Sequence, residues 1–176
     1  SALDRVPIDR VVQGLERKTL FGPAFLADEH FPQDYQHGIV PFGQPTDYGI
    51  LGEWAGYPEL NQNSLQNFIF LDTETSGLAG GTGTFAFMIG LGYFIHHSFK
   101  LIQLFLCDPS EESGLLAAMH HFLGSFKAIV TFNGKSFDIP LLNSRHVING
   151  FSSPFSEVMH IDLLPLARLL WRNRFT

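Results

Sequence analysis

Two acidic side chains stand two residues apart where an apolar run of strand length ends. Asp72 and Glu74 follow residues 68–71, which favour a strand, and Ser76-Gly77 then breaks the pattern. Residues two apart on an extended chain project from the same face, so we expect both carboxylates at the end of a buried strand. Two like charges that close are unfavourable unless one is protonated or a cation lies between them. The pair fits Mg²⁺ or Mn²⁺, which prefer oxygen ligands, and it equally fits two solvated charges at a strand end.

A third carboxylate is predicted at a second strand end. Residues 128–132 are typical of a short buried strand, and the Asn-Gly pair at 133–134 makes a turn. Ser136 can cap a helix, and Pro140 fits only in a first helical turn. Asp138 is therefore predicted at a helix N-terminus directly after a strand.

Other polar clusters receive structural interpretations. The Gly-rich segment 77–84 could cradle a phosphate with its amides, but it lacks the Gly-Lys-Ser/Thr ending of a nucleotide-binding P-loop. His96 and His97 are interpreted as turn residues. Glu111 and Glu112 are interpreted as charges at a helix start.

The elements that must position these residues form an alternating pattern. Residues 85–95 and 99–106 are predicted as two strands that pair antiparallel across a short turn. Asp108 and Pro109 begin a core helix whose apolar stripe leaves His120 and His121 at the surface. A further short strand ends at residue 161.

The last predicted helix begins with Asp162 as its cap. Three strands in a meander followed by strand–helix alternation indicate an α/β domain with a mixed sheet flanked by helices.

The first 67 residues are predicted as an N-terminal extension packed on a core that spans residues 68–176. We expect a short amphipathic helix at 9–17 and a hairpin-like appendage of two short strands within 21–40. Residues 41–67 are rich in Gly, Pro, Asn and Gln and are predicted to be irregular.

Composition limits the class of protein. A chain of 176 residues with 45% hydrophobic residues can bury one sizeable core, and no stretch of it is apolar enough to span a membrane. Its net charge of −6 argues against a protein that coats nucleic acid by electrostatics alone. The single Cys107 excludes an internal disulfide and favours a reducing, cytoplasmic setting, and no signal peptide is expected.

Two separate motifs together resemble a known superfamily. The sequence Asp72-Thr73-Glu74-Thr75 and the segment 132–138 are similar to the first two motifs of DEDD, or DnaQ-like, exonucleases. Within that superfamily, the chain most resembles the YprB-type, ribonuclease H-like predicted exonucleases, a similarity that also includes segments 35–38, 78–84 and 160–164. The resemblance covers roughly residues 20–176. It implies a ribonuclease H-like fold and hydrolysis of phosphodiester bonds in DNA or RNA, acting 3′-to-5′ on a single-stranded end.

The resemblance also implies two divalent ions, Mg²⁺ or Mn²⁺, with a role for each carboxylate. Asp72 would bridge both ions, Glu74 would bind one ion and help to orient the attacking water, and Asp138 would bind the second ion. Four residues would contact the terminal nucleotide, although turns and cores need the same residue types: Thr73, Thr75, Asn133 and Phe137.

One part of the family pattern is missing. The third motif carries a fourth carboxylate and, about four residues before it, a His or Tyr. It should follow the helix that begins at Asp162, and we expect it after Thr176, in a longer protein. Asp162 is a poor substitute because it occupies a helix-cap position.

Three alternatives stay open. The chain could be a catalytically inactive nucleic-acid-binding module of the same fold. An aspartyl-phosphate phosphatase would use Asp72 but would normally have Asp in place of Glu74, and it leaves Asp138 unexplained. A ribonuclease H-type endonuclease typically carries its Glu on a helix.

Overall fold

The computed structural model describes residues 6–42, 49–58, 65–77 and 83–172. Short 3₁₀ turns lie at Ile8–Arg10, Leu65–Asn67 and Pro109–Glu111. The strands are β1 (Leu15–Thr19), β2 (Gly22–Phe31), β3 (Gln36–His37), β4 (Val40–Pro41), β5 (Phe68–Thr75), β6 (Ala86–Ile95), β7 (Ser98–Phe105), β8 (Ala128–Thr131) and β9 (Met159–Asp162). The α-helices are α1 (Gly49–Ala55), α2 (Glu112–Leu123), α3 (Asp138–Ile148) and α4 (Leu163–Leu170).

The main sheet is mixed, and the predicted fold class is confirmed. Its seven strands lie in the order β1-β2-β7-β6-β5-β8-β9. β5, β6 and β7 form an antiparallel meander, whereas β8 runs parallel to β5 and β9 runs parallel to β8. The carboxyl ends of β5, β8 and β9 therefore meet at one edge of the sheet.

The turn between β6 and β7 is the tight hairpin that the sequence predicts. Ile95 pairs with Ser98, so only His96 and His97 lie in the loop. His96 has a φ of 53°, in the left-handed region that two-residue hairpin loops use. The interpretation of both histidines as turn residues is confirmed.

The predicted helix at residues 9–17 is wrong. Residues 15–19 form the edge strand β1, which pairs antiparallel with β2. The apolar side chains that suggested a helix have no core to cover, since Val11 is 66% exposed and Leu15 is 54% exposed. Strand pairing instead half-buries Arg17, whose guanidinium carbon lies 5.2 Å from the ring centre of Phe122 in α2.

The predicted appendage within residues 21–40 is wrong in its first half. β2 is a ten-residue strand of the main sheet and pairs with β7 over residues 25–31. Ala24, Leu26 and Ala27 are buried, so β2 belongs to the core. Only β3 and β4 form a small separate hairpin. The division into an N-terminal extension of 67 residues and a core of residues 68–176 stays a prediction.

The start of α2 follows its predicted cap, with one correction. Asp108 accepts a hydrogen bond from the amide of Ser110, and a 3₁₀ turn precedes the α-helix. Glu112 begins the α-helix as predicted, but it does more than sit at a helix start, because it is buried and accepts hydrogen bonds from the Arg145 guanidinium of α3. His120, by contrast, is exposed as predicted.

Two apolar layers cover the faces of the sheet. Ile69 and Leu71 of β5 pack with the leucines of α2 and α3 on one face. Phe68 and Phe70 alternate with them and pack with Leu166 of α4 on the other face. Successive residues of β5 thus pack against helices on opposite faces of the sheet. The same alternation determines the direction of the polar side chains at the end of β5.

Candidate metal-dependent active site

The last residues of β5 divide between the two faces of the sheet. Asp72 and Glu74 continue the face of Phe70 and are exposed, whereas Thr73 lies on the α3 face and is half-buried. The pairing of β5 with β6 shifts in register between Glu74 and Thr75. The regular register is therefore interrupted directly after the two carboxylates, and pairing resumes with Thr75 opposite Ala86.

Asp138 approaches β5 from the start of α3. It is the first residue of that helix and only 6% exposed. The hydroxyl of Thr73 donates a hydrogen bond to its Oδ1 at 2.5 Å. This contact joins two segments 65 residues apart and fixes the carboxylate of Asp138 beside the end of β5.

The turn before α3 is held by Asp162. Its Oδ1 accepts hydrogen bonds from the amides of Asn133 at 2.7 Å and Leu164 at 3.0 Å, and its Oδ2 accepts one from the amide of Lys135 at 2.9 Å. Asp162 caps α4 as predicted, and it also binds the turn, which the sequence did not reveal. The predicted cap at Ser136 is wrong, because Phe137 occupies the cap position without a side-chain hydrogen bond.

A cavity of about 270 Å³ opens between these elements. Asp72 and Asp138 both line it, so a strand end and a helix start contribute acidic groups to one space. Glu74 is not among the lining residues. The cavity is also lined by Gly77, Phe132 and Leu141. All four residues predicted to contact the nucleotide line it as well: Thr73, Thr75, Asn133 and Phe137.

Comparison with known proteins agrees with this architecture. A family model described as the RNase H superfamily matches residues 69–176. The chain belongs to that superfamily. It is also 31% identical over 178 residues to the uncharacterized protein YprB of Bacillus subtilis (strain 168), an alignment that covers 91% of this chain and 42% of YprB. The predicted YprB-type, ribonuclease H-like resemblance is confirmed, and the chain spans less than half the length of that relative.

Members of the RNase H superfamily are in general hydrolases that act on nucleic acids, and its nucleases typically use divalent metals. In the described part of the chain, no helix is both long and apolar enough to cross a membrane.

The electrostatics of the cavity suit a cation. Partial burial raises the pKa of Asp72, and the nearby charges of Asp138 and then Glu74 raise it further, against a backbone hydrogen bond at Thr73 that lowers it. The described residues form two ion pairs, Lys100–Asp28 and Arg145–Glu112. The carboxylates of Asp72, Glu74 and Asp138 therefore have no cationic partner among the described residues. The site therefore holds negative charge that the described residues do not neutralise.

The carboxylates are of the ligand type that a hard divalent ion prefers, but among the described residues they do not enclose an ion completely. Carboxylate oxygens are the ligands that Mg²⁺ and Mn²⁺ prefer. Within residues 6–42, 49–58, 65–77 and 83–172, no three His, Cys, Asp or Glu side chains converge closely enough to enclose an ion. Asp72 and Asp138 are the two that share the cavity, whereas Glu74 does not line it but is near enough to Asp72 for its charge to raise the pKa of that group.

Residues 78–82 of the Gly-rich segment lie outside the described residues. His160, from the last predicted strand, contacts Thr131 through Nε2 at 2.8 Å. Burial lowers the pKa of His160, and the charge of Lys135 lowers it further. His160 therefore favours a neutral ring that braces β9 against β8.

Proposed function

We propose that this chain is the core of a metal-dependent exonuclease that hydrolyses phosphodiester bonds of DNA or RNA, acting 3′-to-5′ on a single-stranded end. The observation that carries the proposal is the shared cavity. Asp72 and Asp138 come from different elements and line one open space without a cationic partner among the described residues. Such an uncompensated pair is suited to Mg²⁺ or Mn²⁺ and to the phosphates that these ions bind.

The proposed roles follow from what each side chain contacts. Asp72 and Asp138 would hold the ions, with Glu74 as a further ligand. Two bound ions would stabilise the attacking and leaving oxygens of an in-line displacement. Asn133 and the exposed ring of Phe137 border the same cavity and would contact the sugar or base of the terminal nucleotide.

Thr73 has a more defined role than nucleotide contact alone. Its hydroxyl already donates to Asp138, so any contact with the substrate would be made by its backbone or by the hydroxyl oxygen as an acceptor. A fourth carboxylate beyond residue 176 remains part of the proposal, as does a reducing, cytoplasmic setting in which the exposed thiol of Cys107 stays free.

The test is an assay of the intact protein on end-labelled single strands of DNA and RNA with Mn²⁺ or Mg²⁺. We expect metal-dependent release of nucleotides from the 3′ end, loss of release with EDTA, and a loss of at least about 100-fold in Asp72→Asn. Circular single strands should remain intact, because an exonuclease needs a free end. Cleavage of the circles would indicate an endonuclease instead.

A second candidate function is a catalytically inactive nucleic-acid-binding module of the same fold. The observation in its favour is that three metal-binding side chains do not form a closed cluster in the described residues. This module would bind single strands stoichiometrically, without turnover in any metal, and Asp72→Asn would leave its affinity unchanged. Metal-dependent turnover would exclude it.

A further inference from the structure

We propose that Asp162 is a positioning residue that holds Asp138 in the cavity through the turn between β8 and α3. This inference rests on the proposed function, because Asp138 is taken as a metal ligand. Asp162 does not itself line the cavity. It acts on Asp138 only through the backbone that connects them.

The contacts of Asp162 exceed what a helix cap needs. A cap requires one acceptor for an amide in the first helical turn, and Leu164 supplies that amide. The two further hydrogen bonds go to Asn133 and Lys135, 29 and 27 residues away in sequence. Burial alone would raise the pKa of Asp162, but hydrogen bonds from the amides of Lys135, Leu164 and Asn133 lower it, so the buried group stays a carboxylate.

The turn depends on such an external acceptor. Asn133 has a φ of 67°, a left-handed conformation that Asn adopts more readily than most residues but less freely than Gly. Gly134 is pressed against the end of β8, since a Cβ there would stand 2.5 Å from the side chain of Thr131. The following helix also begins without a side-chain cap, because Phe137 occupies the N-cap position before Asp138. Hydrogen bonds within the turn thus leave the amides of Asn133 and Lys135 to Asp162.

Asp138 lies between two anchors. On one side the Thr73 hydroxyl binds its carboxylate, and on the other side the turn fixes the backbone from which it projects. If the turn relaxes, the start of α3 moves, and Asp138 no longer meets both Thr73 and the space beside Asp72. Residues that orient a ligand from outside the site typically affect metal affinity 10–100-fold.

The experiment compares variants that separate the two tasks of Asp162. Asp162→Ser keeps a good helix cap for Leu164, but its single short side-chain oxygen cannot also serve both turn amides. Asp162→Asn keeps the shape and replaces one acceptor with a donor. The matched control is Asp108→Asn, which makes the same substitution at a helix cap that is exposed and bonds to the amide of Ser110 instead of the turn.

Mn²⁺ affinity of the metal-free protein is measured by calorimetry, and folding is measured by urea unfolding. We expect Asp162→Ser and Asp162→Asn to unfold cooperatively and to bind Mn²⁺ about 10–100-fold more weakly than wild type. Asp108→Asn should bind within about twofold of wild type. Excess Mn²⁺ should restore nucleotide release in Asp162→Ser but not in Asp138→Asn, which lacks the ligand itself.

Two results would overturn the inference, and they are distinguishable. If either Asp162 variant is folded and binds Mn²⁺ within about twofold of wild type, Asp162 is only a helix cap, and the proposed function stands. If wild type itself binds no Mn²⁺, the proposed function and this inference fall together. Should Asp162→Ser not fold, Asp162→Asn decides the question by the same measurements.

Discussion

Among the residues that the structure describes, the hydroxyl of Thr73 is the side-chain group that joins the two acidic segments of the site directly. It donates to Asp138, which is almost wholly buried. Removing a donor from a buried carboxylate costs about 1–3 kcal/mol, because the acceptor keeps its desolvation penalty without its partner. We expect Thr73→Val to lower the free energy of unfolding by this amount, as measured by urea unfolding without metal.

Thr73→Ser is the matched control, since it keeps the hydroxyl and loses only a methyl group. It should retain most of the stability that Val loses. Equal destabilisation by Ser and Val would mean that packing of the methyl group, and not the hydrogen bond to Asp138, is what Thr73 contributes.

The buried imidazole of His146 makes stability depend on pH. Burial lowers its pKa, outweighing the hydrogen bond from its Nδ1 to the carbonyl oxygen of Leu142, and His120 lowers it further while Glu112 raises it. Its Nε2 has no hydrogen-bond partner in the described residues. An unfolded histidine titrates near 6.5. Below that pH the unfolded chain therefore binds a proton at His146 that the folded chain, with its lower pKa, does not yet bind.

Stability should therefore fall as the pH drops through 6.5 towards the lower pKa of the folded state, by up to about 1.4 kcal/mol per pH unit. Urea unfolding of wild type and His146→Leu at pH 7.5, 6.5 and 5.5 tests this. The difference between the two proteins should shift in favour of the variant as the pH falls. A constant difference would show that His146 does not titrate in this window.

At the scale of secondary-structure elements, α2 and α3 are tied by a buried ion pair. Arg145 donates from Nε and Nη2 to both carboxylate oxygens of Glu112, and Asn149 donates to the same group. The side chains of Arg145 and Glu112 are only 15% and 8% exposed. Removing one member leaves a buried charge unpaired, so we expect Arg145→Met to cost about 3–5 kcal/mol of unfolding free energy.

The double variant Glu112→Leu/Arg145→Met should cost much less than the sum of the single variants, because it leaves no lone charge. Lys100→Met is the matched control. Its pair with Asp28 has side chains 34% and 44% exposed, so its loss should cost at most about 1 kcal/mol. Additive single and double effects at Glu112 and Arg145 would contradict a coupled pair.

Local pattern predicted the elements wherever one segment determines its own conformation. The strand before Asp72, the hairpin at His96 and the caps at Asp108 and Asp162 all follow from residue type and short spacing. The prediction at β1 failed because its five residues, three exposed and two half-buried, carry no distinctive hydrophobic period, and pairing with β2 decided their conformation.

Contacts between distant segments escaped prediction for a different reason. The sequence indicated the carboxylates of Asp72 and Asp138, but not that Thr73 would bind Asp138. It indicated that Asp162 caps a helix, but not that the same group binds a turn 27–29 residues earlier. A single sequence contains no record of such pairings, because they depend on how the sheet brings its strand ends together.

At the scale of the whole molecule, β1 and β2 complete the sheet that carries the site. β2 pairs with β7, and α2 lies across β1 and β2. Gly114 of α2 is so close to the start of β2 that a Cβ there would stand 2.2 Å from the carbonyl oxygen of Pro23. The helix that supports the core is thus fitted to residues that the sequence assigned to an extension.

A chain cut at the predicted boundary should therefore fail to fold. Residues 68–176 alone would expose the edge of β7 and one apolar side of α2, and such an unpaired edge promotes association. We expect this fragment to aggregate or to unfold without a cooperative transition in urea, as followed by circular dichroism and size-exclusion chromatography. A chain that begins at residue 15 keeps β1 and β2 and should unfold cooperatively, close to the midpoint of the 176-residue chain. Cooperative unfolding of residues 68–176 at that same midpoint would instead establish an independent core, and the first two strands would then add nothing to the stability of the site.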